Sequence, residues 1–425
     1  MSIESAEDTN SRRRRPVKIL LYTLITTTDQ QIPIDRNRWQ WIRTRLVRLI
    51  YLALWKLTGQ WKAKFWMFKD IRNSNLGDIA VRMGVSHALE KAFGNRKLEF
   101  HELPWGKLTT SFVAELPKDF DLIVIAGGGY LFADQANKLP KRVIDDIEAL
   151  EKAKCPVVAT SIGLNQLIHE STAIDFSFDP GETAKIRQFV DRLALCSVRD
   201  ETTRKAVELA GARSPQVIVD PGFLLANPDS KIEKTDDGVL NIGINLSFHG
   251  TFASKLSERS LIILVRVLER LQRTIPCRVH YFCHADSSKG IVAAMRTRGL
   301  KLQIVGGSVD QLIAGYQKLD IHVGSMMHST ILAMSVGVPS LSLAYDIKSA
   351  GFFELFGLGH FVKDVQKIDE ESLFDAIMEL MARRREVAAI LAERGSQLRA
   401  RADAFFADVA RLVGCFWVGV ALPGF

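Results

Sequence analysis

The chain has 425 residues, 47% of them hydrophobic and 24% charged, with a formal net charge of +8. That composition is ordinary for a globular protein, and the length exceeds one ordinary core, so two domains of roughly 150–200 residues are expected. The excess charge sits at positions 12–15 and 36–69, which favours an anionic membrane surface as partner over nucleic acid, for which the chain carries no motif.

Residues 1–16 are polar and basic and lack the apolar stretch of a signal peptide, so they read as a disordered N-terminus. Residues 17–64 combine a strand (17–26) with a basic segment. Five of the seven tryptophans, Trp39, Trp41, Trp55, Trp61 and Trp66, fall within 36–69. As a helix this stretch places Ile42, Leu46, Leu49, Ala53 and Leu57 on one face and Arg38, Arg45, Arg48 and Lys56 on the other. Such an amphipathic helix suits either the membrane interface or packing on a domain.

From residue 65 the pattern alternates strand and helix. Residues 65–226 form a first Rossmann-like domain, with strands at 65–68, 121–126, 157–161, 194–198 and 216–219 and helices at 79–93, 141–152, 183–192 and 203–210. The polar run at 227–238 reads as a linker. Residues 239–365 form a second Rossmann-like domain carrying a candidate anion site, with strands at 240–246, 277–283, 302–305, 319–323 and 340–344. Its helices are expected at 257–274, 286–297, 309–318 and 326–336. Residues 366–425 supply C-terminal helices (369–413) and a hydrophobic tail. The fold class is therefore α/β: two doubly wound parallel sheets facing a cleft, into which the loops after the strands project.

Those loops hold the candidate site residues. Ser325 and His328 lie at the start of a helix, where free N–H groups and the dipole favour an anion. Tyr345, Asp346 and Lys348 follow the next strand, and the cluster suits a phosphate-bearing ligand better than an ordinary surface helix does. In the first domain Asn75 and Asp78 offer either an Asx cap or a polar site. Gly127, Gly128 and Gly129 permit close backbone approach without the residues of a P-loop. Asn165 ends another strand, and Arg199 beside Asp200 offers a planar fork for a carboxylate or phosphate. His284 and Asp286 form a further polar pair.

The five cysteines, Cys155, Cys196, Cys277, Cys283 and Cys415, are far apart and match no zinc spacing, so no metal is expected and a reducing compartment is. The expected location is cytoplasmic, peripheral at the cytoplasmic face of the inner membrane.

Taken in order, Asn-x-Gly-Asp (75–78), Gly-Gly-Gly (127–129), Ser-x-Gly (161–163), Ser-Val-Arg-Asp (197–200), Asp-Pro-x-Phe (220–223) and Gly-x-x-x-His…Gly-x-Pro…Tyr-x-x-Lys (324–348) resemble the polysaccharide pyruvyl transferase family. The resemblance covers about residues 65–365. It implies a fold like the two-domain GT-B glycosyltransferases, and transfer of pyruvate from phosphoenolpyruvate to a glycan or lipid-linked saccharide as a ketal, with no further cofactor. The histidine of the family's Arg-x-His motif matches His328, and its Arg-Asp arginine matches Arg199; the catalytic candidates are His328 and Asp78. The family's second arginine position holds Met326 here, so Lys348, His322 or the helix N-terminus would have to supply the missing anion contact. Two rival readings are a nucleotide-sugar glycosyltransferase and a non-catalytic relative. Against the first, Leu332 stands where such enzymes carry a ribose-gripping glutamate.

Overall fold

A computed structural model of the chain describes residues 15–24, 75–108, 120–134, 136–166, 176–226, 238–246, 253–285 and 288–418, with the isolated positions 50, 110 and 113. The tryptophan-rich stretch at 36–69, the strand expected at 65–68 and most of the linker at 227–238 lie outside the described residues, as does the tail beyond Val418. Arg15 is tied to the first sheet: its Nη1 and Nη2 donate to the Asp121 carboxylate at 3.1 and 2.6 Å.

The first sheet contains β1 (Val17–Thr23), β2 (Leu98–Pro104), β3 (Leu122–Ala126), β5 (Val157–Ile162), β7 (Leu195–Val198) and β8 (Gln216–Val217). All pair in parallel, in the order β2-β1-β3-β5-β7-β8. Strand β1 sits between β2 and β3, so the sheet draws on residues well ahead of position 65. The central strand β3 reads Leu-Ile-Val-Ile-Ala without a polar break and every residue is buried, because both faces are covered. A short parallel pair, β4 (Leu131–Phe132) with β6 (Leu164–Asn165), caps the ends of β3 and β5.

The helices of this half are α1 (Leu76–Phe93), α2 (Lys141–Leu150), α3 (Thr183–Arg192) and α4 (Glu201–Leu209). Two start earlier than periodicity indicates, because a side chain caps the first turn. Asn75 Oδ1 accepts the Gly77 N–H, and Asp200 Oδ1 accepts the Thr203 N–H.

The second sheet contains β9 (Leu240–Asn245), β10 (Cys277–Phe282), β11 (Leu302–Val305), β12 (Ile321–Gly324), β13 (Ser340–Ala344) and β14 (Val362–Asp364), all parallel in the order β11-β10-β9-β12-β13-β14. Renumbered from β9, this is the 3-2-1-4-5-6 order of a dinucleotide-binding sheet, whose switch point lies between β9 and β12. Its helices are α5 (Ala253–Thr274), α6 (Ser288–Thr297), α7 (Val309–Tyr316), α8 (Met327–Ser335) and α9 (Lys348–Glu354), followed by α10 (Glu370–Ala382) and α11 (Arg384–Val418). The charged run at 369–413 is thus two helices, the second reaching Val418.

The halves meet through shared apolar clusters. Leu76, Ile79 and Ala80 of α1 pack with Phe282, Leu312, Tyr316 and Leu332, and the Leu76 N–H donates to the His284 carbonyl at 2.9 Å. Helix α11 spans the other side: Val387, Leu391 and Leu398 join the core of the second sheet, while Ala402, Phe405, Phe406, Val409 and Trp417 join Ile19, Leu21 and Val124 of the first. Among the described residues no helix is long and apolar enough to cross a membrane, and no three His, Cys, Asp or Glu side chains are grouped to hold a metal.

Candidate active site

A cavity of about 540 Å³ lies between the sheets. Its walls come from the carboxyl ends of the strands, as the doubly wound topology requires. Leu24 follows β1, Trp105 follows β2, Gly129 follows β3, Asn165 ends β6, Arg199 follows β7, Met327 and His328 follow β12, and Tyr345, Asp346 and Lys348 follow β13. Asn75 and Asp78 enter from the start of α1, and Arg142 from α2.

His328 sits in the first turn of α8 with 12% of its side chain exposed. Its Nε2 lies 3.8 Å from Asp220 Oδ2, too far for a hydrogen bond, and both atoms are buried with no hydrogen-bond partner among the described residues. Asp220 is fixed by its other oxygen, which accepts the Gly222 N–H at 3.0 Å. Burial pushes the Asp220 carboxyl up, but His328, Arg199 and that N–H together outweigh it and hold the group below the usual carboxylate range. The glycine of Asn-x-Gly-Asp has a steric origin: a Cβ on Gly77 would overlap the His328 imidazole.

Arg199 is almost fully buried. Its Nη2 donates to the Leu164 carbonyl at 2.6 Å and its Nε to Asp200 Oδ2 at 3.3 Å, while Asp200 Oδ1 accepts from both the N–H and the Oγ1 of Thr203 at 2.7 Å. The aspartate therefore orients the arginine and caps α4 at once. The glycine of Ser-x-Gly makes room for it, since a Cβ on Gly163 would collide with the guanidinium.

Lys348 Nζ pairs with Asp346 Oδ2 at 2.8 Å and donates to the Tyr345 hydroxyl at 3.3 Å. Burial alone would lower the ammonium pKa, but Asp346 and Tyr345 outweigh it and keep the group firmly protonated. Burial likewise pushes the Tyr345 hydroxyl up. Asn75 Nδ2 donates to Asp78 Oδ2 at 2.5 Å, so the Asx cap and the cavity wall are one structure.

Of the residues singled out from sequence, the cavity gathers His328, Asp78, Arg199, Asn75, Gly129, Asn165, Tyr345 and Lys348. Gly127 and Gly128 do not line it; with φ of 58° and 73° they form the turn behind it. Ser325 also lies outside the wall, buried, with its N–H donated to the Asn245 carbonyl. His322 cannot replace the missing arginine. It is fully buried with Nε2 3.1 Å from Ser329 Oγ, and burial lowers its pKa to about 3. His284 is similar, with Nε2 2.7 Å from the Tyr316 hydroxyl and a pKa lowered to about 3 by burial; Asp286 lies outside the described residues. Met326 is 3% exposed and its N–H donates to Asn245 Oδ1, while its neighbour Met327 faces the cavity.

The wall also contains residues no sequence motif marked: Trp105, Phe132, Pro140 and Arg142. Asp220 was visible only as the first residue of Asp-Pro-x-Phe, with no sign that it would stand behind His328.

The family model described as polysaccharide pyruvyl transferase matches residues 18–347. The amylovoran biosynthesis protein AmsJ of Erwinia amylovora is 26% identical over 116 residues, 27% of this chain and 28% of that protein; the match spans about a quarter of either. Among solved structures, Anabaena Alr3699/HepE in complex with UDP-glucose superposes with a TM-score of 0.45 at 14% identity, covering 93% of this chain and 98% of that one. A putative UDP-N-acetylglucosamine 2-epimerase from Listeria monocytogenes gives a TM-score of 0.46 at 10% identity, covering 89% and 91%.

Proposed function

The chain belongs to the polysaccharide pyruvyl transferase family, and from that premise we propose that it moves pyruvate from phosphoenolpyruvate to a sugar of an exopolysaccharide or cell-surface glycan precursor. The observation that carries this reading is the convergence of His328 with two cations, Arg199 and Lys348, in one cavity. The partial likeness to a protein of amylovoran biosynthesis is in keeping with an exopolysaccharide acceptor.

In this mechanism Arg199 and Lys348 hold the donor's carboxylate and phosphate. His328, with the Asp220 carboxylate 3.8 Å from its Nε2, protonates the methylene carbon. The double-bond electrons form the new C–H bond, and C2 becomes the electrophile. A sugar hydroxyl attacks C2 and gives its proton to Asp78. A second hydroxyl then closes the ketal as the C2–O bond to phosphate breaks, and its proton balances the one the phosphate carries away. The basic, tryptophan-rich stretch at 36–69 supports a lipid-linked acceptor met at the cytoplasmic face of a membrane.

Met326 motivates the rival in which the protein is a non-catalytic relative. A sugar-nucleotide transferase is disfavoured because Leu332, at the position of the ribose-gripping glutamate, is wholly buried in the apolar cluster between the halves. Calorimetry with phosphoenolpyruvate and assay of phosphate release test the proposal. The intact chain binds the donor, Arg199→Ala loses that binding, and His328→Ala lowers phosphate release by about 10²–10⁴-fold. Failure of the intact chain to bind the donor, with acceptor saccharides also present, would retire the reading.

A further inference from the structure

Two kinds of side chain line the cavity: Asn75, Asp78, Arg199, His328 and Lys348 are polar or charged, whereas Leu24, Trp105, Phe132 and Pro140 present carbon surface. Trp105 is half-buried and held from several sides. Its Nε1 donates to the Tyr22 carbonyl at 3.2 Å, Tyr130 meets it edge-on at 5.3 Å, and the Arg142 guanidinium lies 4.9 Å from its ring centre. An indole fixed this way loses little freedom when a ligand covers it.

Two unsatisfied polar atoms accompany it. Arg142 Nη2 donates to the Tyr130 carbonyl at 3.0 Å, but its Nη1 is buried with no hydrogen-bond partner among the described residues, 4.0 Å from Asp146 Oδ2. Asn165 Oδ1 is likewise buried and without a partner. Both residues line the cavity, so a guanidinium and a carboxamide accompany the aromatic wall. A pyranose ring has the complementary character: a C–H face that covers an aromatic surface, and hydroxyls that both accept and donate. A donor as small as phosphoenolpyruvate leaves room in this volume for a second substrate.

We infer that the Trp105 wall is the acceptor subsite, where the indole carries a pyranose ring and Arg142 and Asn165 hold its hydroxyls. The assignment rests on the pyruvyl-transfer reading for its meaning, but its test stands apart from the donor.

Saturation-transfer NMR of the full chain with the methyl β-pyranosides of galactose, glucose and mannose reads the subsite directly. At least one pyranoside receives saturation at its ring protons. Trp105→Ala weakens its binding by about tenfold, and Trp105→Phe keeps most of it. Arg142→Lys, which leaves the indole in place, also weakens it, while calorimetric binding of phosphoenolpyruvate is unchanged in all three variants. The assignment falls if the intact chain binds none of the three sugars, if Trp105→Ala binds them as well as the parent, or if a variant that melts normally loses phosphoenolpyruvate in parallel. Trp105-dependent sugar binding without phosphoenolpyruvate binding would instead retire the donor and leave the subsite standing.

Discussion

Asp146 is fully buried and accepts hydrogen bonds from the hydroxyls of Tyr22 at 2.7 Å and Tyr130 at 2.8 Å. Burial pushes its pKa up to about 6, with those two bonds and Arg142 only partly opposing it. An unfolded aspartate titrates near 3.9, so the folded state holds its proton more tightly. The stability this contributes is complete below about pH 4 and is lost as pH rises through about 6. His284 and His322 act in the opposite sense: burial lowers both to about 3, so their contribution is complete above about 6.5 and is lost on acidification towards 3. We predict that Asp146→Asn removes the opposing slope and makes the protein's loss of stability on acidification steeper. The stability difference between variant and parent should change by on the order of 2–3 kcal/mol between pH 7 and pH 4. Thermal melting across that range checks it, and a pH-independent difference would show that Asp146 is ionised alike in both states.

At the scale of elements, the cavity is organised by two helix starts that touch. Helices α1 and α8 come from different halves, and Gly77 of one faces His328 of the other. Gly77→Ala places a methyl group in the imidazole, so one helix start must retreat. The expected cost is about 1–3 kcal/mol in urea unfolding, with a fall in transfer rate larger than the loss of stability explains. Equal urea midpoints and rates would mean that the helices slide freely past each other.

The same scale explains what could be read in advance. Strand β3 was legible because five consecutive buried apolar residues leave no other reading. Strand β2 was not: Leu-Glu-Phe-His-Glu-Leu-Pro is an edge strand, only partly buried, whose polar residues mask the alternation. Strand β14 is three residues long and α9 carries an internal glycine, so neither imprints a period. Arg199, His328 and Lys348 were legible because tight turns and strand ends mark them. Trp105 was hidden because it reaches the cavity only through the placement of β2 beside β1, and Arg142 because it enters from the start of α2, facts of topology that local pattern does not carry.

For the whole molecule, charge decides the membrane question. Arg38, Arg45, Arg48 and Lys56 are part of the net charge of +8, and each basic residue near an anionic surface contributes about 1 kcal/mol. Replacing all four by Glu should release the protein from phosphatidylglycerol-containing vesicles in a sedimentation assay; unchanged partition would end the anchoring proposal. Substitution is the right probe, because removing the segment together with everything before it would delete β1 from the middle of the first sheet.

Helix α11 has a consequence for how the protein is made. Its Phe405, Phe406 and Trp417 cover Ile19, Leu21 and Val124, and the Trp417 indole donates to Asp121 Oδ1 at 2.7 Å. Ribosomes deliver about 5–20 residues per second, so that covering arrives on the order of tens of seconds after the first sheet has emerged. Throughout that interval α1 covers only part of this aliphatic face, through Val85, Leu89 and Phe93. The first half therefore completes its core only once α11 has been made.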